Sequence, residues 1–214
     1  AIAGILLARR GLGQPVGSQT QLGTIRLGKR TENRVPKIRD LVPLADLADV
    51  EIAGWDIFED NAYEAAKRAK VLEDHHLEPI REELSSIRPM KGAFYPEYVK
   101  RLTGTHVKSA SSKADMVEQL RVDIQRFREE KKLSRAVAVW CGSTETFITP
   151  SAVHQTIEAF EDGLRKNDPN ISNAQLYAWA CLKEGVPFAN GAPNLAVDFP
   201  AAIELAKETR TPIA

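Results

Sequence analysis

The chain has 214 residues, and its 29 basic side chains balance 29 acidic ones. That balance sets up no field toward nucleic acid or an anionic membrane, and no apolar run approaches the roughly 20 residues a spanning helix needs. At 43% hydrophobic, the chain can bury a substantial core, and its length suits about one domain.

Two cysteines, Cys141 and Cys181, fit a reduced cytosolic protein better than a disulfide framework. The opening AIAGILLARR places its basic residues after the apolar ones, the reverse of a signal peptide. It reads as the tail of an amphipathic helix, which leads us to expect a piece of something longer. Next comes GLGQPVGSQTQLGTIRLGKRTENRVP, where Gly11, Gly13 and Gly17 superficially resemble a phosphate-binding loop. A dinucleotide fingerprint needs a strand before it and a helix after it. Here a helix precedes and Pro15 forbids an immediate one, so Gly11 or Gly13 reads as a helix C-cap. Arg26, Lys29 and Arg30 read as a solvated basic loop rather than a phosphate site. Residues 37–49 form a weakly helical connector.

The stretch from Val50 to Ala69 reads as strand, turn and capped helix, with Asp56 where the strand stops. In an open parallel sheet, ligands sit beyond the carboxyl ends of the strands. A carboxylate there can take both hydroxyls of a ribose and repel a 2′-phosphate, which favours NAD over NADP. The alternative is that Asp56 is a turn or capping acid. The following helix starts at Asp60 or Asn61 and carries Tyr63, Ala66, Ala69 and Leu72. A second helix covers His76 to Ile87. The adjacent pair His75 and His76 points about 100° apart on a helix and makes no metal site.

Lys113 to Leu133 is helical, with Met116, Leu120, Ile124 and Phe127 on one stripe. RAVAVW (135–140) is the clearest strand, apolar on both faces as a central parallel strand is. The small residues CGST that follow would let a ligand approach the backbone. Cys141 lacks a sequence-near base and reads as a buried small residue rather than a nucleophile. Thr149 and Pro150 read as N-cap and first residue of a helix bearing Val153, Ile157, Phe160 and Leu164, with His154 off the stripe at the surface. Ser172 starts a helix closed by Gly185. VPFAN (186–190) is a strand ending in the polar turn NGAPN. A helix from Phe199 to Thr209 leads into TPIA, the opening of another strand. This alternation gives an α/β sheet with right-handed crossovers.

RRGLGQPVGSQTQLGTIRLGKR, GWDIFEDNAYEAA and EGVPFANGAPN together resemble the inositol-3-phosphate synthase family in its bacterial form. The resemblance runs over essentially the whole chain. It implies a cytoplasmic NAD-dependent isomerase of inositol and phospholipid biosynthesis. Such an enzyme converts D-glucose 6-phosphate to 1D-myo-inositol 3-phosphate by oxidation at C5, enolisation, aldol closure of C6 on C1, and reduction. It also implies a homotetramer and a Rossmann-type doubly wound, mostly parallel sheet with helices on both faces. Carried over residue by residue, Asp56 matches the acid on the adenosine ribose. Cys141, Gly142, Ser143 and Thr144 match a strand end that contacts the dinucleotide. Gly191 and Ala192 match the next such end, and Gly92 and Ala93 a contact near the adenosine half.

Two departures accompany these matches. The family's glycine-rich pyrophosphate loop belongs before Ala1, and its lysine-bearing GKDFKTGQT-type segment after Ala214. Asp56 therefore lies more than twice as far from that loop as the usual spacing of about 20 residues, with residues 11–49 as the insertion. The resemblance thus implies that residues 1–214 are a partial NAD(P)-binding domain, truncated at both ends, with no catalytic residue in the segment and no activity alone. The alternatives are an NAD-dependent sugar-phosphate or amino-acid dehydrogenase and a non-catalytic NAD-binding module.

Overall fold

The computed structural model describes residues 2–12, 23–46 and 49–214; Gly13 and Gly17 lie outside these. The chain divides into two compact units. The first comprises residues 1–54 and 60–89, the second residues 55–59 and 90–214.

In the first unit, α1 (Ile2–Arg9) ends at Gly11, whose φ is +65°. The Gly11 N–H donates to the Ala8 carbonyl (3.1 Å) and the Leu12 N–H to the Leu7 carbonyl (3.0 Å). This double bond is the Schellman closure, and only a residue without a Cβ enters that left-handed region freely. The expected C-cap is therefore Gly11. Residues 24–37 form an exposed antiparallel excursion, with Thr24 opposite Lys37 and Leu27 opposite Arg34. Arg26, Lys29 and Arg30 lie on it in solvent.

Helix α2 (Ala62–Ala69) is capped by Asn61, whose Oδ1 accepts the Tyr63 and Glu64 N–H groups (both 3.0 Å). Glu64 Oε2 returns the bond to the Asn61 N–H (3.0 Å), closing a capping box. The helix stops at Lys70 in a left-handed conformation, so Leu72 is not part of it. The single helix expected over His76–Ile87 is instead α3 (Asp74–Leu77), a 3-10 turn (Glu78–Ile80) and α4 (Arg81–Ser86). Pro79 has no N–H to continue the α ladder, which accounts for the break. Ala3, Leu6, Leu77, Ile80 and Leu84 form this unit's core.

The second unit holds the sheet pieces. Strand β1 (Trp55–Asp56) pairs in parallel with β2 (Met90–Lys91), and Gly92 bridges in parallel to Val107. Strand β3 (Ala138–Trp140) pairs in parallel with β4 (Phe188–Asn190), and Phe188 bridges in parallel to Ile213, the strand opening expected in TPIA. Around them lie α5 (Lys113–Glu130), α6 (Ile157–Lys166), α7 (Asn173–Lys183) and α8 (Pro200–Glu208). Every pairing between these strands is parallel, as the α/β, Rossmann-like reading requires.

Helix α7 is buried along almost its full length and forms the centre of the core. Trp179 packs on Phe160 (ring centroids 4.3 Å apart), and Phe160 stacks on Phe199 (5.2 Å). Gly185 (φ +64°) closes α7 with the same double bond as α1: Gly185 N–H to Leu182 O and Val186 N–H to Cys181 O.

Three expectations in this unit are corrected. The helix expected from Thr149–Pro150 is a 3-10 turn (Ala152–His154) followed by α6, whose N-cap is Thr156; its Oγ1 accepts the Ala159 N–H at 3.2 Å. His154, expected at the surface, is fully buried. Its Nδ1 accepts the Ser151 N–H (3.0 Å), and burial pushes its pKa down, so the ring is neutral. Finally, β3 is covered on one face only. Ala138 and Trp140 turn to the core, while Val137 and Val139 remain 67% and 62% exposed, the period-two alternation of a strand.

Candidate functional site

The nine residues singled out from the sequence all fall in the second unit, at the carboxyl ends of the four strands. They form two groups. At the end of β1, Asp56 is exposed and its Oδ1 accepts the Phe58 N–H (3.1 Å). Its other oxygen has no partner among the described residues. The strand is held from behind: the Trp55 indole N–H donates to Asp123 Oδ2 (2.8 Å) on α5. Asp123 is buried and also takes Lys108 Nζ (2.7 Å) and Arg126 Nη2 (2.9 Å).

Gly92 lies directly beside Asp56. Its N–H donates to the Asp56 carbonyl (3.1 Å), and a Cβ on it would come within 3.2 Å of the Asp56 carbonyl carbon. Gly92 and Ala93 are buried, and the Ala93 N–H is taken up by the Tyr177 hydroxyl (2.7 Å). These two residues therefore support Asp56 from within rather than offering backbone donors outward.

The second group is different. Cys141, Gly142, Ser143 and Thr144, after β3, are all exposed. For Cys141 this corrects the expectation of a buried position: the strand has ended, and residue 141 continues the outward-facing series of 137 and 139. The N–H groups of Gly142, Ser143 and Thr144 have no acceptor among the described residues. Gly191 lies against this shelf, its N–H donating to the Trp140 carbonyl (2.8 Å). A Cβ at Gly191 would stand 2.7 Å from that same oxygen, so only glycine allows the approach. The Ala192 N–H donates to Asn190 Oδ1 (3.2 Å).

Tyr177 links the groups. Its ring meets Trp55 of β1 (5.4 Å between centroids) and Trp140 of β3 (5.2 Å), and its hydroxyl holds Ala93. Burial pushes its pKa up, which keeps the hydroxyl protonated. Trp140 Nε1 is buried without a hydrogen-bond partner among the described residues.

This donor set fits a dinucleotide. A carboxylate with a free oxygen can accept from a pair of ribose hydroxyls, and a glycine-bearing shelf of free N–H groups suits phosphate or carboxamide oxygens. No cluster of His, Cys, Asp and Glu suited to a metal occurs among the described residues, and no described helix is long and apolar enough to cross a membrane. Sequence reasoning missed Tyr177, Asp123, Glu145, Asn190 and Asn194, which hold the site from behind. The one available signal was the Asn-X-X-X-Asn spacing in NGAPN, a polar pair at a strand end.

Comparison with known proteins places the chain in a family. An NAD-binding family model described as myo-inositol-1-phosphate synthase matches residues 1–214. Inositol-3-phosphate synthase 1 of Bacteroides thetaiotaomicron is 45% identical over 213 residues, covering 99% of this chain and 49% of that protein. Inositol-3-phosphate synthase 1 of Oryza sativa is 34% identical over 194 residues, covering 89% and 38%. The crystal structure of inositol-3-phosphate synthase from Caenorhabditis elegans superposes with a TM-score of 0.88 at 27% identity, covering 99% of this chain and 45% of that one. The chain thus spans about half the length, or less, of these relatives.

Proposed function

The chain belongs to the myo-inositol-1-phosphate synthase family and is of its NAD-binding type; from that premise we propose that it is the cofactor-binding part of an inositol-3-phosphate synthase. The reaction is the cyclisation of D-glucose 6-phosphate to 1D-myo-inositol 3-phosphate, in a cytoplasmic homotetramer. Bound NAD supplies a hydride acceptor that is restored within one turnover.

The chain's own residues hold the cofactor. Asp56 accepts the adenosine ribose hydroxyls through its free oxygen, with Gly92 and Ala93 packed behind it. The shelf Cys141–Thr144 and the turn at Gly191–Ala192 present backbone and small side chains to the remainder. A cofactor reduced and reoxidised within one turnover must not leave, and a site of main-chain contacts on close-packed glycines suits that demand.

One observation carries the reading: the exposed Asp56 carboxylate and the exposed shelf stand at the carboxyl ends of parallel strands, joined through Tyr177. The same geometry supports the domain assignment that we propose. β1 and β3 share no ladder, yet each leans a tryptophan on the same Tyr177 ring. A separation spanned by one ring suits one intervening strand at about 4.8 Å from each neighbour. The doubly wound order 3-2-1-4-5-6 puts its first strand, with the phosphate loop, at that place. We place that strand and loop before residue 1, and the catalytic and tetramerisation domain after residue 214.

The test uses the protein expressed from its own gene, incubated with glucose 6-phosphate and NAD. The expected result is an inositol phosphate with no net NADH. Stoichiometric NADH would overturn the reading in favour of a dehydrogenase. NAD binding without any turnover would reduce the chain to a binding module.

A further inference from the structure

Glu145 follows the shelf directly and is buried, 7% exposed, with no salt bridge to a cation among the described residues. An unpaired buried carboxylate is costly unless donors surround it. Here they do: its Oε1 and Oε2 accept the Ala174 N–H at 3.1 and 3.3 Å, and the polar groups of Ser172 and Asn173 also favour its charged form. These residues are the first turn of α7, so the carboxylate lies at the helix end where N–H groups are unpaired and the macrodipole is positive. Burial still pushes its pKa up, against those donors.

The backbone of Glu145 is tied to the other strand end. Its N–H donates to Asn194 Oδ1 (2.9 Å), and Asn194 Nδ2 donates to the Ser143 carbonyl (3.4 Å). Asn190 Nδ2 donates in turn to the Asn194 carbonyl (2.8 Å), while its Oδ1 takes the Ala192 N–H. Beyond Glu145, the Thr146 N–H donates to the Tyr98 carbonyl (2.7 Å). The shelf is thus clamped at Trp140 O, Ser143 O, Glu145 and Thr146, and the N–H groups of exposed Gly142, Ser143 and Thr144 have no acceptor among the described residues.

We infer that Glu145 and Asn194 form a latch that fixes the Cys141–Thr144 shelf in its dinucleotide-receiving shape, Glu145 acting as a positioning residue through the N-terminus of α7. This deepens the proposed function and rests on it. Neither residue needs to touch the cofactor. Glu145 holds the shelf to the most buried helix of the unit, and Asn194 holds the β3 and β4 loops in mutual register.

The test compares Glu145→Ala, Glu145→Gln and Asn194→Ala with the unaltered protein, all expressed from the full gene. NAD affinity is read by calorimetry, and backbone exchange over residues 141–147 by mass spectrometry. Loss of the latch should weaken NAD binding about tenfold in Glu145→Ala and Asn194→Ala, the scale of one lost well-placed hydrogen bond. Faster exchange should accompany it at residues 145–147, with exchange in the Phe160–Trp179 core unchanged. Glu145→Gln keeps an acceptor for Ala174 and should recover part of the affinity. If Glu145→Ala does not fold, Asn194→Ala carries the same expectation with the carboxylate left in place.

Variants that bind NAD as tightly as the unaltered protein, whatever their melting temperature, would make the latch a stability element only and overturn the inference. If the unaltered protein takes up no NAD, the cofactor reading itself fails and the latch loses its purpose with it. Comparing variants with the unaltered protein separates the two failures.

Discussion

Lys113, the first residue of α5, has a side chain held inside the second unit at 2% exposure. Its Nζ donates to the Tyr98 hydroxyl (2.6 Å) and to the carbonyls of Asp168 and Ile171 (both 2.7 Å). It also lies over the rings of Tyr95 and Tyr98 at 5.3 and 4.9 Å. Its three donors are therefore satisfied, but burial without a carboxylate in contact pushes the ammonium from 10.5 down to about 8. Between those values the unfolded chain holds more protons than the folded one. Stability must therefore rise with pH through that window.

The full displacement amounts to about 3 kcal/mol, and about 2 kcal/mol of it should appear between about pH 7 and about pH 9.5. Lys113→Met removes the titration while keeping the stem buried. It also strips partners from two carbonyls and a hydroxyl, a cost that does not vary with pH in this range. The informative quantity is therefore the difference in unfolding free energy between the two proteins, measured in urea across the pH series. That difference should move by about 2 kcal/mol in favour of the lysine protein as pH rises. The series stops short of the phenol range, because burial holds Tyr98 and Tyr177 protonated in the fold and their contribution is lost at higher pH. A difference that stays flat from end to end would refute the reasoning about Lys113.

Cys141 is exposed and Cys181 is buried with its thiol pushed up to about 12. One of these two thiols should therefore react with a maleimide under native conditions, at Cys141, and saturating NAD should slow it; equal labelling with and without NAD would separate Cys141 from the cofactor site. Gly191→Ala places a Cβ against the Trp140 carbonyl at 2.7 Å, a backbone atom that cannot step aside. It should cost about 1–3 kcal/mol of stability, the range for overpacking, and loosen the β3–β4 ladder; an unchanged urea midpoint would show that the shelf can relax.

Much of the fold was legible because local chemistry and global architecture agree. A capped helix starting at Asp60 or Asn61 is legible in the sequence, and in the structure Asn61 is the cap, with Glu64 returning the bond. Gly11 and Gly185 stop helices because the closing bonds need a left-handed residue. RAVAVW and VPFAN became β3 and β4, though shorter than written. The misreadings come where tertiary contacts outweigh local pattern. His154 lies off the apolar stripe, yet its ring nitrogens find partners on Ser151 and Gln175, so an imidazole can pack against the stacked pair Phe160 and Phe199. Thr149–Pro150 has the local chemistry of a helix start, but Thr156 supplied the cap instead.

The site divides in the same way. Residues that face outward, Asp56 and the 141–144 shelf, are visible as small or acidic side chains at strand ends. Those that hold them, Asp123, Glu145, Tyr177 and Asn194, act across 29 to 84 positions of sequence. No spacing rule joins residues that far apart. Gly92 and Ala93 were expected, from resemblance, as a contact near the adenosine half; what no local pattern revealed is that their N–H groups are bonded within the fold, to the Asp56 and His106 carbonyls and to the Tyr177 hydroxyl.

The central claim is that this chain presents a dinucleotide site read by Asp56. The most direct measurement is the dissociation constant for NAD and for NADP, by calorimetry, of the protein expressed from its own gene and of its Asp56→Ala variant. Asp56 is exposed, and its one recorded side-chain bond within the fold is to the Phe58 N–H, so the variant should fold. NAD should bind the unaltered protein more tightly than NADP. The variant should lose about tenfold or more on NAD, the scale of one or two charge-assisted hydrogen bonds, and most of its discrimination. An Asp56→Ala protein that binds NAD with unchanged affinity and still rejects NADP would contradict the account.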